Sequence, residues 1–386
     1  MTNPHITAML GDIQKYPREI QEEVIKLMQK LITLDFGSTF TKVEVGPVVR
    51  TYFFEPKMNA ILSKVMSRPE DLALSLGVDS VIISRDKQYI SIAVPRKDRE
   101  VIQFDKCLFS MLTAPEVKSM SLPILMGKTP KGENLFIDLQ TQPHLLIGGT
   151  TGSGKSIFTS QVICSLALFH SSNELRFTLV DTKQLDLTLF QGLPHIGNVI
   201  QDIHALREKL TELLDLVRKR TAIMSGVARN INEWNKQGLG QKFEYQILII
   251  DEFADVVMQD RNYISSLKPS VRPVSIEELT QTLTQIARAA GVHCIIATQR
   301  PSVKLINGDL KTNCPARVAF QLPSMQDSRV IIDTNGAEKL LGAGDYLYKI
   351  QGSSEVKRAH SAFVTLNDIA TIITQADMLR EQYVKR

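Results

Sequence analysis

The feature that most restricts the fold is a glycine-punctuated octet, Gly149-Thr150-Thr151-Gly152-Ser153-Gly154-Lys155-Ser156, which matches the pattern G-x-x-x-x-G-K-[ST]. It follows the apolar run Leu145-Leu146-Ile147 and precedes IFTSQVICSLALF, a stretch of helical character. Strand, glycine loop and helix in that order make a cradle for phosphate. The glycines let backbone N–H groups curl around an anion, and the helix turns the positive end of its dipole toward it. On this reading Gly149 to Ile157 bind ATP, with Lys155 neutralising the β and γ phosphates and Ser156 holding Mg²⁺. So many constrained positions in the right context leave little room for a chance Gly/Ser turn.

A loop of this kind needs a second carboxylate at the end of a neighbouring strand, and Ile247-Leu248-Ile249-Ile250-Asp251-Glu252 supplies one. Asp251 is assigned to Mg²⁺ alongside Ser156. Glu252 is assigned to the water that attacks the γ-phosphate, which it would orient and polarise. A third apolar run, His293 to Ala297, ends in Thr298-Gln299-Arg300-Pro301 and places Gln299 to sense the γ-phosphate. The plainer alternatives are solvated loop charges at 251–252 and an ordinary polar turn at Gln299.

From Leu122 to about Val364, the apolar runs HLLIGG, LRFTLVD, YQILIIDE and HCIIATQ alternate with helical stretches. Runs without polar alternation suit strands buried on both faces, so the expected class is α/β with a largely parallel central sheet. Upstream, KVEVGPVVRTYFFE and VIISRDKQYISIAVP read as short strands around a helical piece near 58–77. That is a small α+β domain, with a hairpin turn at Ser84–Gln88. Ile20, Val24, Leu27, Met28, Leu31 and Ile32 recur at helical spacing among Glu and Lys. They mark an amphipathic helix that packs on its own domain or on a neighbouring subunit. The expected divisions are therefore 1–35, 36–105 and 106–386.

Composition excludes more than it selects. With 386 residues, 43% hydrophobic and 22% charged, the chain can build ordinary packed cores. Its 45 basic and 41 acidic residues give a net charge of +4, too small to argue for a polyanionic partner except through local placement. Cys107, Cys164, Cys294 and Cys314 are scattered and form no CxxC pair, against a zinc site or a disulfide scaffold. No run approaches the ~20 apolar residues that a bilayer crossing needs, and the first residues lack a basic-then-apolar leader. A soluble, cytoplasmic chain without membrane contact is expected.

Beyond the nucleotide motifs, GGTTGSGKS, VDTKQLDL, GLPHIGNVI, LIIDEFADVV, ARAAGVHCIIATQRPSV, RVAFQLPSMQDSRVIID and GAEKLLGAGDYLY resemble, in order and spacing, the motor core of the FtsK/SpoIIIE family over about residues 108–365. GPVVRTYFFEP, DLALSLGVDSVII and SIAVP resemble the smaller domain that precedes that motor. The resemblance implies a RecA-like P-loop NTPase core and a hexameric ring that pumps double-stranded DNA through its channel, with a DNA-stimulated ATPase shared between subunits. Arg288 matches the position for a cation supplied in trans; its bland reading is a helix-end cation complementing the dipole. Arg300, Ser302, Lys304, Lys311 and Arg329 match the pore loops, where backbone-directed contacts carry affinity without base specificity. Solvated surface charge is the plain reading of each.

Two departures from the family pattern stand out. Met325 sits where a lysine is frequent, and Met258–Glu278, carrying Arg261, Lys268 and Arg272, is longer than expected. That segment is read as a surface loop, or else as an extra DNA or partner contact. No stretch matches the family's membrane-spanning segments or its C-terminal winged-helix module, so a plasmid, phage, conjugative or defence partner is expected. The alternatives are a conjugative coupling protein or HerA-like motor acting on single strands or with a nuclease, and an ATP-gated assembly switch.

Overall fold

The computed structural model describes residues 12–353 and 355–383. They form two compact units. The first runs to Val101 and takes in Lys128–Glu133 and Lys339–Leu341; the second comprises Ile102–Gly127, Asn134–Glu338 and the chain from Gly342 onward.

The first unit opens with α1 (Arg18–Thr33), entered at Pro17, whose fixed φ suits a helix start. Then come β1 (Ser38–Val45), β2 (Val49–Pro56), α2 (Leu62–Met66), α3 (Pro69–Leu76), β3 (Ile82–Asp86) and β4 (Tyr89–Pro95). Helix α3 carries Pro69 in its first turn and stops at Gly77 in the left-handed region, the asymmetry expected of helix ends. The strands pair antiparallel in the order β1-β2-β4-β3. The turn expected over Ser84–Gln88 is tighter than that, since β3 and β4 pair up to Asp86 and Tyr89, with Lys87 at φ +55°.

Ile20, Val24, Leu27, Met28 and Leu31 of α1 join Phe40, Tyr52, Phe54, Leu72 and Ile92 in one core. Arg50, buried on β2, is bonded to Glu19 at 2.9 Å and Glu23 at 3.0 Å on the helix, and Tyr52 donates its hydroxyl to Glu23. Residues 1–35 are therefore not a division of their own within the described part: α1 supplies one wall of the core that the sheet would otherwise expose. Removing one such wall residue, as in Leu27→Ala, costs about 2–5 kcal/mol.

The second unit is built on α4 (Phe104–Thr113), β5 (Pro123–Lys128), β6 (Asn134–Asp138), β7 (His144–Gly148), α5 (Lys155–Phe169), β8 (Leu175–Val180), α6 (Ile203–Met224), α7 (Ile231–Gln237) and β9 (Tyr245–Ile250). It continues with α8 (Phe253–Ser266), α9 (Ile276–Ile286), β10 (Val292–Thr298), α10 (Gly308–Asn313), β11 (Ala316–Phe320), α11 (Met325–Ile332), β12 (Asp345–Lys349), β13 (Lys357–His360) and α12 (Leu366–Tyr383). The nine-stranded sheet has the order β6-β5-β13-β12-β11-β7-β10-β9-β8. Strands β11, β7, β10, β9 and β8 are mutually parallel, while β12 runs antiparallel to both β11 and β13. The α/β class and the mostly parallel sheet are thus present. Helix α5 is buried along most of its length, against the sheet on one side and α12 on the other.

Two expectations change. Strand β9, which Asp251 follows directly, does not neighbour β7: β10 lies between them. The segment Met258–Glu278 is not a surface loop, because its first part continues α8 and its last part begins α9. Asp260 explains the difference. Buried on α8, it pairs with Arg207 and accepts the Ile276 amide at 2.8 Å, so it caps the next helix, whose start also carries a Ser275–Glu278 capping box. Among the described residues no helix is long and apolar enough to cross a membrane.

Candidate active site

Parallel strands β7, β10, β9 and β8 all end at one edge of the sheet, and the loops leaving that edge meet. The Gly149 amide donates to the Thr298 carbonyl at 3.2 Å and the Thr150 amide to the Gln321 carbonyl at 3.0 Å, hanging the phosphate loop between the ends of β10 and β11. Gly154 has φ +107°, and a Cβ there would lie 2.6 Å from the Gly344 backbone, so only glycine fits. The Gly344 amide in turn donates to the Ser153 carbonyl at 2.9 Å.

Lys155 opens α5 and is 2% exposed. Its ammonium donates to the Asp251 carboxylate at 2.7 Å and to the Asp251 carbonyl at 2.9 Å. A charge this deep needs such a partner, since an unpaired buried ion is strongly disfavoured. Ser156 donates its hydroxyl to Asp186 at 2.5 Å, and Thr151 donates to the Gln299 side-chain carbonyl at 2.9 Å. Glu252 is also buried, and its carboxylate accepts the Thr298 hydroxyl at 2.7 Å and the Gln299 amide at 2.9 Å. The interposed strand β10 thus steadies both the loop and the carboxylate, which places Gln299 closer to the centre of the site than a third-strand position suggested.

Lys183 and Asp186 were missed by the sequence reading. Their signal was Asp181, another carboxylate directly after an apolar strand. The Asp181 carboxylate accepts the amides of Lys183, Leu185, Asp186 and Leu187 at 3.2, 3.0, 3.1 and 3.0 Å and so folds residues 183–187 into a fixed turn. From it Lys183 reaches Asp255 at 2.9 Å and Glu252 at 3.9 Å. Partial burial pulls the lysine's pKa down, but its bond to Asp255 and the nearby carboxylates outweigh that and hold it above the usual value.

These groups enclose a cleft of about 610 Å³ whose lining includes Thr150, Lys155, Ser156, Lys183, Asp186 and Phe363, within the range of small-molecule sites. The Ser156 hydroxyl and the Asp251 and Asp186 carboxylates are hard oxygen donors. Mg²⁺ at nucleotide sites takes one or two such groups beside phosphate oxygens, so the donor set suits it. The four cysteines are buried and none is in a disulfide.

Arg288 is not brought to this cluster. It is exposed, in a turn before Val292, at the far end of a seven-residue strand from Thr298, roughly 20 Å away at ~3.3 Å per residue. The five surface candidates do not share one site either. Arg300 and Ser302 line a concavity with Arg261, whereas Lys311 and Arg329 line a groove of about 660 Å³ with Arg317 and Asp333; Lys304 is exposed and lines neither. Lys311 is no freely offered cation, for Asp333 pairs with it at 2.5 Å, and also with Arg317 and with Lys349 at 3.4 Å. Burial raises the Asp333 pKa, yet Lys311 and Arg317 together hold it below the usual carboxylate value. Arg329 donates to Asn335 at 2.7 Å. The Arg300 amide donates to the Thr298 hydroxyl at 3.1 Å, and Met325 is exposed.

The FtsK/SpoIIIE family model matches residues 112–245 and 234–303, and the FtsK alpha domain model matches residues 8–96. The chain is 34% identical to the DNA translocase FtsK of Haemophilus influenzae over 389 residues, covering 92% of this chain and 70% of that protein. It belongs to the FtsK/SpoIIIE family. Against the FtsK of Helicobacter pylori it is 32% identical over 372 residues, which is 94% of this chain but 42% of that protein. For most of the FtsK relatives compared, then, the chain spans less than half their length. Among solved structures, the pCW3 conjugation coupling protein TcpA with ATPγS is similar at a TM-score of 0.62, with 22% identity and 94% and 100% of the two chains covered. The type VII secretion ATPase EccC of Thermomonospora curvata follows at 0.57, with 22% identity, 69% of this chain and 32% of that one. The family's P-loop ATPase fold is therefore the fold of the second unit.

Proposed function

We propose that this chain is an ATP-driven motor that moves double-stranded DNA through a hexameric ring of its own copies. Glu252 carries the proposal: a buried carboxylate beside the phosphate loop, in a chain of the FtsK/SpoIIIE family, with hydrogen bonds from the Thr298 hydroxyl and the Gln299 amide that aim it. The loop amides and Lys155 would bind the ATP phosphates. Ser156 and Asp251 would hold Mg²⁺, which when bound neutralises charge on the phosphate oxygens. Glu252 would take a proton from the attacking water as its oxygen bonds to the γ-phosphorus and the bond to the bridging oxygen breaks, ADP leaving with the electron pair. Gln299, tied to Thr151, would register whether the γ-phosphate is present.

Arg288 lies at the opposite end of β10 from these groups, so its cationic role belongs to the ATP of an adjacent copy, where it would stabilise the transferring phosphoryl group. Arg300, Ser302, Lys304 and Arg329 would touch DNA phosphates, with Lys311 secondary to them. A cytoplasmic setting and a plasmid, phage, conjugative or defence partner complete the reading. The likeness to TcpA over 94% of the chain supports a second reading, a conjugative coupling motor.

The test is the ATPase rate with and without long duplex DNA, with Lys155→Ala as the blank. A rate that does not rise with duplex removes the translocase proposal. Displacement of a third strand from duplex tracks, compared with single-stranded tracks, separates the two motors.

A further inference from the structure

The residues so far assigned to ATP all serve its phosphates, yet the cleft has a second, apolar end. Ile157, Leu185 and Phe363 line it. Phe363 is 52% exposed, an unusual state for a phenylalanine whose backbone is so firmly held. Its amide donates to the Ile102 carbonyl at 2.8 Å, and the Ser361 amide donates to the Gly344 carbonyl at 2.8 Å. Between them, the Ala362 amide donates to the Gln161 side chain at 2.7 Å. Gln161 is buried on α5 and is itself bonded to the Leu125 carbonyl at 2.7 Å. The strip 361–363 is thus fastened to the phosphate-loop helix on one side and, through Gly344 and Ser153, to the loop itself on the other.

This anchoring sets a distance. Gln161 lies six positions beyond Lys155 on α5, roughly 9 Å along the axis at ~1.5 Å per residue. An aromatic ring held beside that point stands away from the phosphates by about the reach of a ribose, with nothing polar of its own to offer. We propose that Phe363 is the platform on which the nucleobase stacks, with Leu185 and Ile157 closing the apolar end. The assignment rests on the nucleotide reading of the cleft and adds a residue that recognises the base by its flat face. The backbone that carries the ring is held in advance of binding, so little main-chain freedom is lost when the base settles on it.

The test measures affinity of the full chain for ATP and for inorganic tripolyphosphate by calorimetry. Phe363→Ala is expected to weaken ATP binding about tenfold, the size of one base-to-ring stack, and to leave tripolyphosphate within about twofold. Phe363→Trp is expected to keep ATP affinity, and its added indole fluorescence to respond to ATP but not to tripolyphosphate. ATP affinity unchanged in Phe363→Ala, or equal losses for both ligands, overturns the assignment, as does an indole that responds equally to both. If the unaltered chain binds neither ligand, and Lys155→Ala is indistinguishable from it, the nucleotide reading falls and the platform with it.

Discussion

The nucleotide cleft and the cationic groove of the second unit treat charge in opposite ways. In the cleft, Lys155, Asp251 and Glu252 are each at most 4% exposed, and every one has a partner at hydrogen-bond distance. Around the groove and the Arg300 concavity, Arg329, Arg300 and Lys304 stand in solvent, and one partly exposed acid, Asp333, gathers cations to itself. Buried and paired charge holds one geometry and suits a ligand of one shape, because a misplaced partner leaves an ion unsatisfied. Exposed charge on long side chains adapts, is screened by salt and suits a backbone whose phosphates recur whatever the sequence.

That contrast can be broken in four ways. Glu252→Gln is expected to lower the ATP hydrolysis rate about 10²- to 10⁴-fold, the usual worth of a general base, while ATP affinity changes less than about threefold; a comparable loss of affinity would show that the carboxylate builds the site instead of acting in it. Arg300→Ala with Lys304→Ala is expected to weaken duplex binding about tenfold at moderate salt, equally for unrelated sequences, and to reduce the slope of log affinity against log salt by about two. An unchanged slope would place the DNA elsewhere. Asp333→Asn sharpens the comparison from the other side. Freed of their carboxylate, Lys311 and Arg317 should raise duplex affinity about threefold in a filter-binding or anisotropy titration. Lys311→Ala alone should change it less than about twofold, since that ammonium is already engaged; a loss as large as that of the double variant would mean that Asp333 positions Lys311 for DNA.

What could be read from sequence was whatever lies close along the chain. Gly149–Ser156 is contiguous, and Asp251-Glu252 and Gln299 each sit at the end of an apolar run, so motif and strand alternation located all three. The partners that fix them are distant. Gln161 and Ala362 meet across 201 positions, and the Asp333 clamp on Lys311 depends on α11 ending in a left-handed residue, Asp333 at φ +65°. Neither leaves a local pattern. Strand order was equally hidden: nothing near Asp251 says that β10 inserts between its strand and β7. Asp186 was within reach, because the Asp181 turn has the strand-end signature that found Asp251. The Met258–Glu278 segment misled because it is rich in charge, yet one of those charges, Asp260, is turned inward on α8 behind the buried Val256 and Val257.

One short run of backbone deserves a mechanical description. Thr298 steadies the Glu252 carboxylate, Gln299 touches the phosphate loop, and Arg300 emerges into solvent. Two peptide units separate the first from the last, and each is too stiff to stretch. A tug on Arg300 therefore has only the φ and ψ of Gln299 in which to dissipate before it reaches the Thr298 hydroxyl that Glu252 accepts. At this point of the chain, a pull from solvent and the carboxylate beside the phosphate loop lie two peptide units apart.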